Sequence, residues 1–468
     1  MHPVNPATSC ALRPLSDLTP PSLERTWLTA PHPRLPIVAT CGSDKTVRVY
    51  SLTNFQLLST ISGGHKRSVR TAAWKPHIQG ESVLATGSFD ATAGIWRRWD
   101  SYGRAGGEQD GWGSRTGSGL QYDHDHDESN KTDILRQQDV GAEDDDDEEW
   151  RFAVLLDGHD SEVKSVSWSA SGLLLATCSR DKSIWIWEDL DDGDNNFETV
   201  AVMQEHEGDV KCVAWHPAEE CLASASYDDT IRIWREDLDD WGQVACMRGH
   251  TGTVWFVDWE SAENAPACSP NVTGQEKEGR LSQWRETGQR ALSGPRLVSC
   301  SDDRTVRIWR RHPKEQSDGR FGGTGLPSII RPTGMDETWE EEAILPTIHD
   351  LAIYAVAWSK RTGLIASVGA DGRIVLYEER FLVGLESDSS QPMETDPPLR
   401  TAEGAATSQS PRTEWVIATV LTGAHGIYEI NHVAWAKRAD RGRDESKEEE
   451  VLVTTADDGS VKVWTVER

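Results

Sequence analysis

No stretch of 18 apolar residues occurs in the 468-residue sequence, and the N-terminus has no basic-then-apolar leader. Neither a membrane helix nor a secretory signal is expected, so the sequence reads as a soluble intracellular protein of the cytoplasm or also the nucleus. Cysteine is sparse and dispersed, eight in all, with no Cys-x-x-Cys pair. Cys41, Cys178 and Cys300 each stand three residues before a recurring Asp, which points to reduced core thiols rather than a metal or cluster site. Basic residues are outnumbered, 48 Lys and Arg against 77 Asp and Glu, for a net charge of -29. A phosphate-binding surface needs a basic stripe, so nucleic acid is not an expected partner, and neither is a membrane. Zinc-ligand spacings, a phosphate-cradling Gly loop and a nucleophile elbow are also missing. No catalytic residue, metal site or cofactor is therefore expected; an enzyme would have to declare itself by turnover or a bound cofactor.

What the sequence does contain is one phrase written seven times: Ser or Thr, three residues, Asp, five residues, then Trp or Tyr. It occurs at Thr40/Asp44/Tyr50, Thr86/Asp90/Trp96, Thr177/Asp181/Trp187, Ser224/Asp228/Trp234, Ser299/Asp303/Trp309, Ser367/Asp371/Tyr377 and Thr454/Asp458/Trp464. In six copies a His precedes it, followed nine residues on by a Trp, or ten in the last: His65/Trp74, His159/Trp168, His206/Trp215, His250/Trp259, His349/Trp358 and His425/Trp435. Alternating apolar sequence such as Val-Lys-Ser-Val-Ser-Trp runs between them, the pattern of a strand with one buried face.

A Gly-His turn, several short strands and an aromatic after the Asp form the signature of a WD40 blade, a four-stranded sheet of about 40 to 45 residues. Seven copies predict an all-β, seven-bladed propeller occupying residues 1–468 as one unit. The blades fall at about 18–56, 65–156, 159–203, 206–247, 250–345, 349–421 and 425–468. A buried Asp in a tight turn is costly unless its oxygens accept hydrogen bonds, and the His, the Ser/Thr and the Trp are the natural partners in such a chain. Most histidines therefore read as structural. The sequence stops four residues after Trp464, when the last blade has only three strands. Residues 12–17 are expected to supply the fourth and remove a free edge.

Seven repeats account for roughly 300 residues, so the surplus must be insertions. They fall at 97–149, 260–295, 311–339, 381–413 and 437–449. Each lies between the first and second or the third and fourth strands of a blade, hence on one face. The first holds 16 acidic and 6 basic residues and the unbroken acidic run 143–149, and reads as a solvated loop. Its Asp-His-Asp-His-Asp stretch at 123–127 could hold a metal loosely, but sits in polar, Gly-rich surroundings that favour the same reading. The opposite face, carrying the His and Asp turns, accepts no insertion. Either the Asp network forbids lengthening, or this face docks a partner and stays flat.

Two positions per blade should point into the short-looped face. The residue before each Asp reads Ser43, Phe89, Arg180, Tyr227, Asp302, Ala370 and Asp457; the residue four before each inner-strand Trp reads Arg70, Lys164, Lys211, Trp255, Tyr354 and Asn431. Arg70, Lys164, Arg180 and Lys211 thus stand beside Phe89, Tyr227, Trp255 and Tyr354, on a protein of the opposite net charge. Arg and aromatic residues dominate interface hot spots, and a carboxylate suits an Arg fork. The arrangement predicts a site for an acidic or carboxylate-bearing peptide, with an aromatic side chain as a further element. The plainer reading is that Lys164 and Lys211 balance acidic loops nearby.

Particular phrases go further. Gly158 to Trp168 (GHDSEVKSVSW), Leu175 to Trp187 (LATCSRDKSIWIW), Ser226 to Trp234, Gly249 to Trp255, Ala366 to Gly372 and His425 to Asn431 resemble the WD40 subunit of the cytosolic iron–sulfur protein assembly (CIA) machinery. The resemblance covers all seven blades and skips the insertions. It implies a scaffold without enzyme activity in the CIA targeting complex, joining a small MIP18-type subunit, a large HEAT-repeat subunit and client apo-iron–sulfur proteins of cytosol and nucleus. It also implies that Arg180, in Ser-Arg-Asp-Lys-Ser, lies on the family's functional face. The sequence departs from the pattern in blade 1, which has no Gly-His and has Pro31, Pro33 and Pro36 in its inner strand. Glu205 also replaces the Gly before His206, and the insertions are larger. The alternative is a propeller that reads degrons or histone tails for a ubiquitin ligase or chromatin complex.

Overall fold

The computed structural model describes residues 10–78, 80–99, 149–192, 195–237, 240–261, 294–312, 337–381, 413–444 and 446–468. These residues form seven four-stranded antiparallel sheets and no helix. Six sheets are consecutive in sequence; blade 2, for example, pairs Val69–Trp74, Glu81–Ser88, Thr92–Trp99 and Arg151–Asp157 in that order. Blade 7 is the exception. Its outer strand is Ala11–Asp17, paired antiparallel with Val461–Glu467 from Ala11 opposite Glu467 to Asp17 opposite Lys462. The expected closure by the N-terminal strand is what the sheet order shows. Pro14 fits there because the outer strand needs no donor on its open side.

Second strands such as Ile37–Gly42, Leu174–Ser179 and Cys221–Ser226 are buried at every residue, packed between neighbouring blades as well as within their own. That double burial explains why they read as unbroken runs of small and apolar residues. In blades 2 to 7 the Trp near the end of the inner strand joins adjacent blades. Trp74, Trp215, Trp259 and Trp435 donate their indole N–H to the carbonyls of Ala30, Ser167, Ala214 and Ala357 on the preceding blade, at 2.8–3.1 Å. Trp168 and Trp358 lie instead under Lys75 and Arg296. In blade 1 the inner strand survives its prolines: Thr26–Pro31 pairs with Ile37–Gly42, and Pro33 and Pro36 fall in the connecting turn.

Most of the insertions at 97–149, 260–295, 311–339 and 381–413 lies outside the described residues, as do 123–127 and the acidic run up to residue 148, whereas 437–449 is described except at residue 445. Their flanks are well defined. Glu260 and Arg296, at either end of the 260–295 insertion, exchange backbone hydrogen bonds with one another's main and side chains, and Arg296 pairs with Glu260 at 2.8 Å. Arg296 is itself buried, reaches Glu379 of blade 6 at 2.7 Å, and lies over Trp358 and Trp415.

Candidate docking face

The short-looped face is built on the Asp network. In blade 3, His159 Nε2 lies 2.8 Å from Thr177 Oγ1, which also accepts the Trp187 indole N–H at 3.0 Å, while His159 Nδ1 pairs with Asp181 at 2.9 Å. Asp181 further accepts the backbone N–H groups of Asp160 and Ser183. The same set recurs at His206, Ser224, Asp228 and Trp234, and at His250, Ser299, Asp303 and Trp309. His65, Thr86 and Trp96 follow it, with Asp90 bonded to the Lys66 N–H and 3.4 Å from His65. His349 joins Ser367 and Asp371. In blade 7, His425 bonds Thr454 and turns to Ser460, with Asp458 3.5 Å away, while Trp464 donates to Thr454. Tyr377, standing where other blades carry Trp, is buried at the same position of blade 6. Blade 1, lacking a His, holds Asp44 with Thr46 and Arg48, and sends the Tyr50 hydroxyl to the Pro20 carbonyl.

Burial alone would raise the carboxyls of Asp90, Asp181, Asp228 and Asp303. Bonds from the histidine and from the hydroxyl two residues on outweigh it and hold all four well below the usual carboxylate range. Each Asp ties its own turn to the loop entering the blade, so neither can lengthen without breaking the bonds.

Set in this frame is a feature of backbone count. In every blade, pairing between the first two strands slips by one residue near the start of the inner strand. The residue left over is Trp27, Arg70, Lys164, Lys211, Trp255, Tyr354 or Asn431. A bulge of this kind re-aims the side chain it frees. Six of these residues are those singled out by spacing; Trp27 is the seventh, which spacing from a Trp could not find because Pro31 occupies the Trp position of blade 1. Its signal was available, since Trp27 stands four residues before Pro31 as Arg70 does before Trp74.

The structure brings these side chains into two contacting groups. In the first, Arg70 lies over the Trp27 ring at 5.2 Å, Trp27 meets Phe89 at 5.9 Å, and Lys164 sits 4.5 Å from the Phe89 ring. In the second, Lys211 is 5.3 Å from Tyr227 and 5.0 Å from Trp255, which packs edge-on against Tyr354 at 5.4 Å. Cations over ring faces are attracted by the ring quadrupole. Acidic neighbours orient the second group: Asp302 accepts from the Trp255 indole at 2.5 Å and Glu429 from the Tyr354 hydroxyl at 3.0 Å. Asn431 is tied to Asp457 at 2.8 Å and is buried. Arg180 is not part of either group; it is exposed and lies 3.4 Å from Glu162.

Burial, with Lys211 and Arg70 nearby, lowers the Lys164 ammonium to about 8 against the opposing pull of Glu162 and Asp209. Burial also lowers the Arg70 guanidinium, whose hydrogen bond among the described residues goes to the Trp27 carbonyl at 3.4 Å. A carboxylate arriving between them would relieve both. The thiols of Cys41, Cys178, Cys212 and Cys300 lie buried in the surrounding strands, all raised by burial. Among the described residues no three His, Cys, Asp or Glu side chains are grouped to hold a metal ion.

Comparison with known proteins places the chain. The WD domain, G-beta repeat family matches residues 150–188, 197–235, 289–310 and 343–378. A protein of Aspergillus terreus is 71% identical over 98% of this chain and 99% of its own length, and one of Aspergillus niger 70% identical over 98% and 97%. One of Penicillium rubens is 69% identical over 97% and 98%. Each bears the name probable cytosolic iron-sulfur protein assembly protein 1.

Proposed function

The chain belongs to the cytosolic iron-sulfur protein assembly protein 1 family, and from that premise we propose that it is a non-catalytic adaptor of the CIA targeting complex. It serves iron–sulfur protein assembly in the cytosol. As adaptor it joins a MIP18-type subunit, a large HEAT-repeat subunit and client apoproteins, with the cluster as cargo. The observation that carries this reading is the ring of bulged residues, which presents Arg70, Lys164 and Lys211 among Trp27, Phe89, Tyr227 and Trp255. Aromatic and cationic side chains held in a fixed frame suit a carboxylate-bearing segment and offer no nucleophile, base or oxyanion hole. Arg180, exposed, extends the same cationic surface.

Lys211→Glu and Arg180→Glu test it in the full chain. With melting curves unchanged, each should weaken retention of client proteins by the purified complex; undiminished retention by both would remove this face from the proposal. Depleting the protein should lower extramitochondrial iron–sulfur enzyme activities and spare mitochondrial ones, whereas an equal fall in both compartments would contradict the adaptor role.

A further inference from the structure

Three consecutive blades break the rule that loops on the short-looped face are polar. At two or three residues before the inner strand, blades 2 to 5 carry Lys66 and Arg67, Asp160 and Ser161, Glu207 and Gly208, and Thr251 and Gly252. Blades 6, 7 and 1 carry Leu351, Ile427 and Leu23 there, and these are 53%, 94% and 98% exposed. Tyr428, beside Ile427, is 47% exposed. Single exposed aliphatics need no explanation, but a run of them on one face does.

The three loops form one arc. A Cβ added to Gly372, in the Asp turn of blade 6, would lie 3.1 Å from the Tyr428 carbonyl, so the loop of blade 7 rests on blade 6. The Asp457 N–H bonds the Glu429 carbonyl, and a Cβ at Gly459 would meet the Ser22 and Glu24 carbonyls at about the same close range, 2.4 and 2.5 Å. Loop, turn and loop therefore abut from Leu351 to Leu23.

Charge along the arc has one dominant sign. Asp350, Glu429, Asp457 and Glu24 line it against two cations, Arg373 and Arg25, which pair with Asp350 and Asp457, so the excess negative charge rests on Glu24 and on Glu429, which accepts from the Tyr354 hydroxyl. Across the face, blades 2 to 4 present the cations of the first site. We propose that the arc over blades 6, 7 and 1 is a second docking surface, taking a partner segment in which aliphatic side chains alternate with Lys or Arg. Aliphatics of that segment would cover Leu351, Ile427 and Leu23; its cations would meet the intervening carboxylates. The arc meets the cationic ring where Glu429 bonds Tyr354 and Asp457 bonds Asn431, but Leu351, Ile427 and Leu23 stand outside that ring, so substitutions at Lys211 and at Ile427 report on the two surfaces separately.

The test places a photo-crosslinking amino acid at Ile427 in the full-length protein in cells, with the same group at Leu58, an exposed residue on the outer strand of blade 1, as reference. Crosslinked segments are then sequenced. Segments of net positive charge bearing aliphatic residues, recovered at Ile427 and not at Leu58, are expected. Retention of the same partner should fall roughly tenfold in Ile427→Asp/Leu351→Asp, as for loss of one interface hot spot, and should be unaffected by Lys211→Glu. Crosslinking no greater than at Leu58, crosslinks to acidic segments, or full retention by the double variant would each overturn the proposal.

Discussion

At the scale of single residues, the docking proposed at Lys164 would be sensitive to pH. Its ammonium, lowered to about 8 by burial and crowding, would regain an ordinary value beside a bound carboxylate. Between those two values docking takes up a proton, so affinity is full below pH 8 and declines as pH rises past it. Titration calorimetry at pH 8.5 in buffers of different ionisation heat should detect that proton, and Lys164→Arg should abolish it. Stability responds to acid. His216 and His425 are held near about 4 and His432 near about 3, each chiefly by burial, and His206 is lowered too. The unfolded chain binds those protons at about 6.5, so stability is intact above that value and falls as pH drops toward 4, on the order of 1–2 kcal/mol for each of His216, His425 and His432 by pH 5. Asp258, raised by burial to about 6, and the raised Glu450 act in the opposite sense. Four imidazoles against two carboxyls leave a net loss. The denaturant midpoint should therefore move down between pH 7 and 5.

At the scale of elements, equal positions in the repeat carry unequal weight. Asp228→Ala would strand His206 and two backbone N–H groups, a loss of about 3 kcal/mol. Asp44→Ala, at the same position of a blade without the His, removes a partly solvated pair with Arg48 and the bonds from Thr46 and should cost about 1 kcal/mol. Denaturant titration of both variants checks the contrast. The blades themselves were legible in sequence because Ser/Thr, Asp and Trp sit at fixed chemical stations of one network. The bulge was not, because it is a mismatch of counts between two strands and exists only once they pair. Spacing from the Trp still reached six of the bulged residues, and Trp27 was missed because Pro31 fills the Trp position of blade 1; Arg180 looked more central than it is, since it pairs with Glu162 instead of joining either aromatic group. The Glu260–Arg296–Glu379 cluster had no sequence signal at all: its members come from three separate strand ends.

At the scale of the molecule, the 260–295 insertion leaves the ring through a clamp of its own. Glu260 and Arg296 clamp the flanks of 262–293, so replacing those residues by a short Gly-Ser link should leave the melting temperature within about 2 °C, given the slow growth of closure entropy with loop length. Arg296→Met, which removes the buried cation that Glu260 and Glu379 share, should cost about 3–5 kcal/mol. Calorimetry on both separates the clamp from what it carries.

The outer strand of blade 7 is the first described strand to leave the ribosome, and the strand it pairs with is the last. Arg13 and Glu467, which meet across that pair, are 454 residues apart. At roughly 5–20 residues per second, the first strand waits about 20–90 seconds for its partner to be made. Throughout that interval six blades can assemble while the ring stays open. A chain lacking either strand would leave an unpaired edge at the same place, so the ring closes through this one pairing.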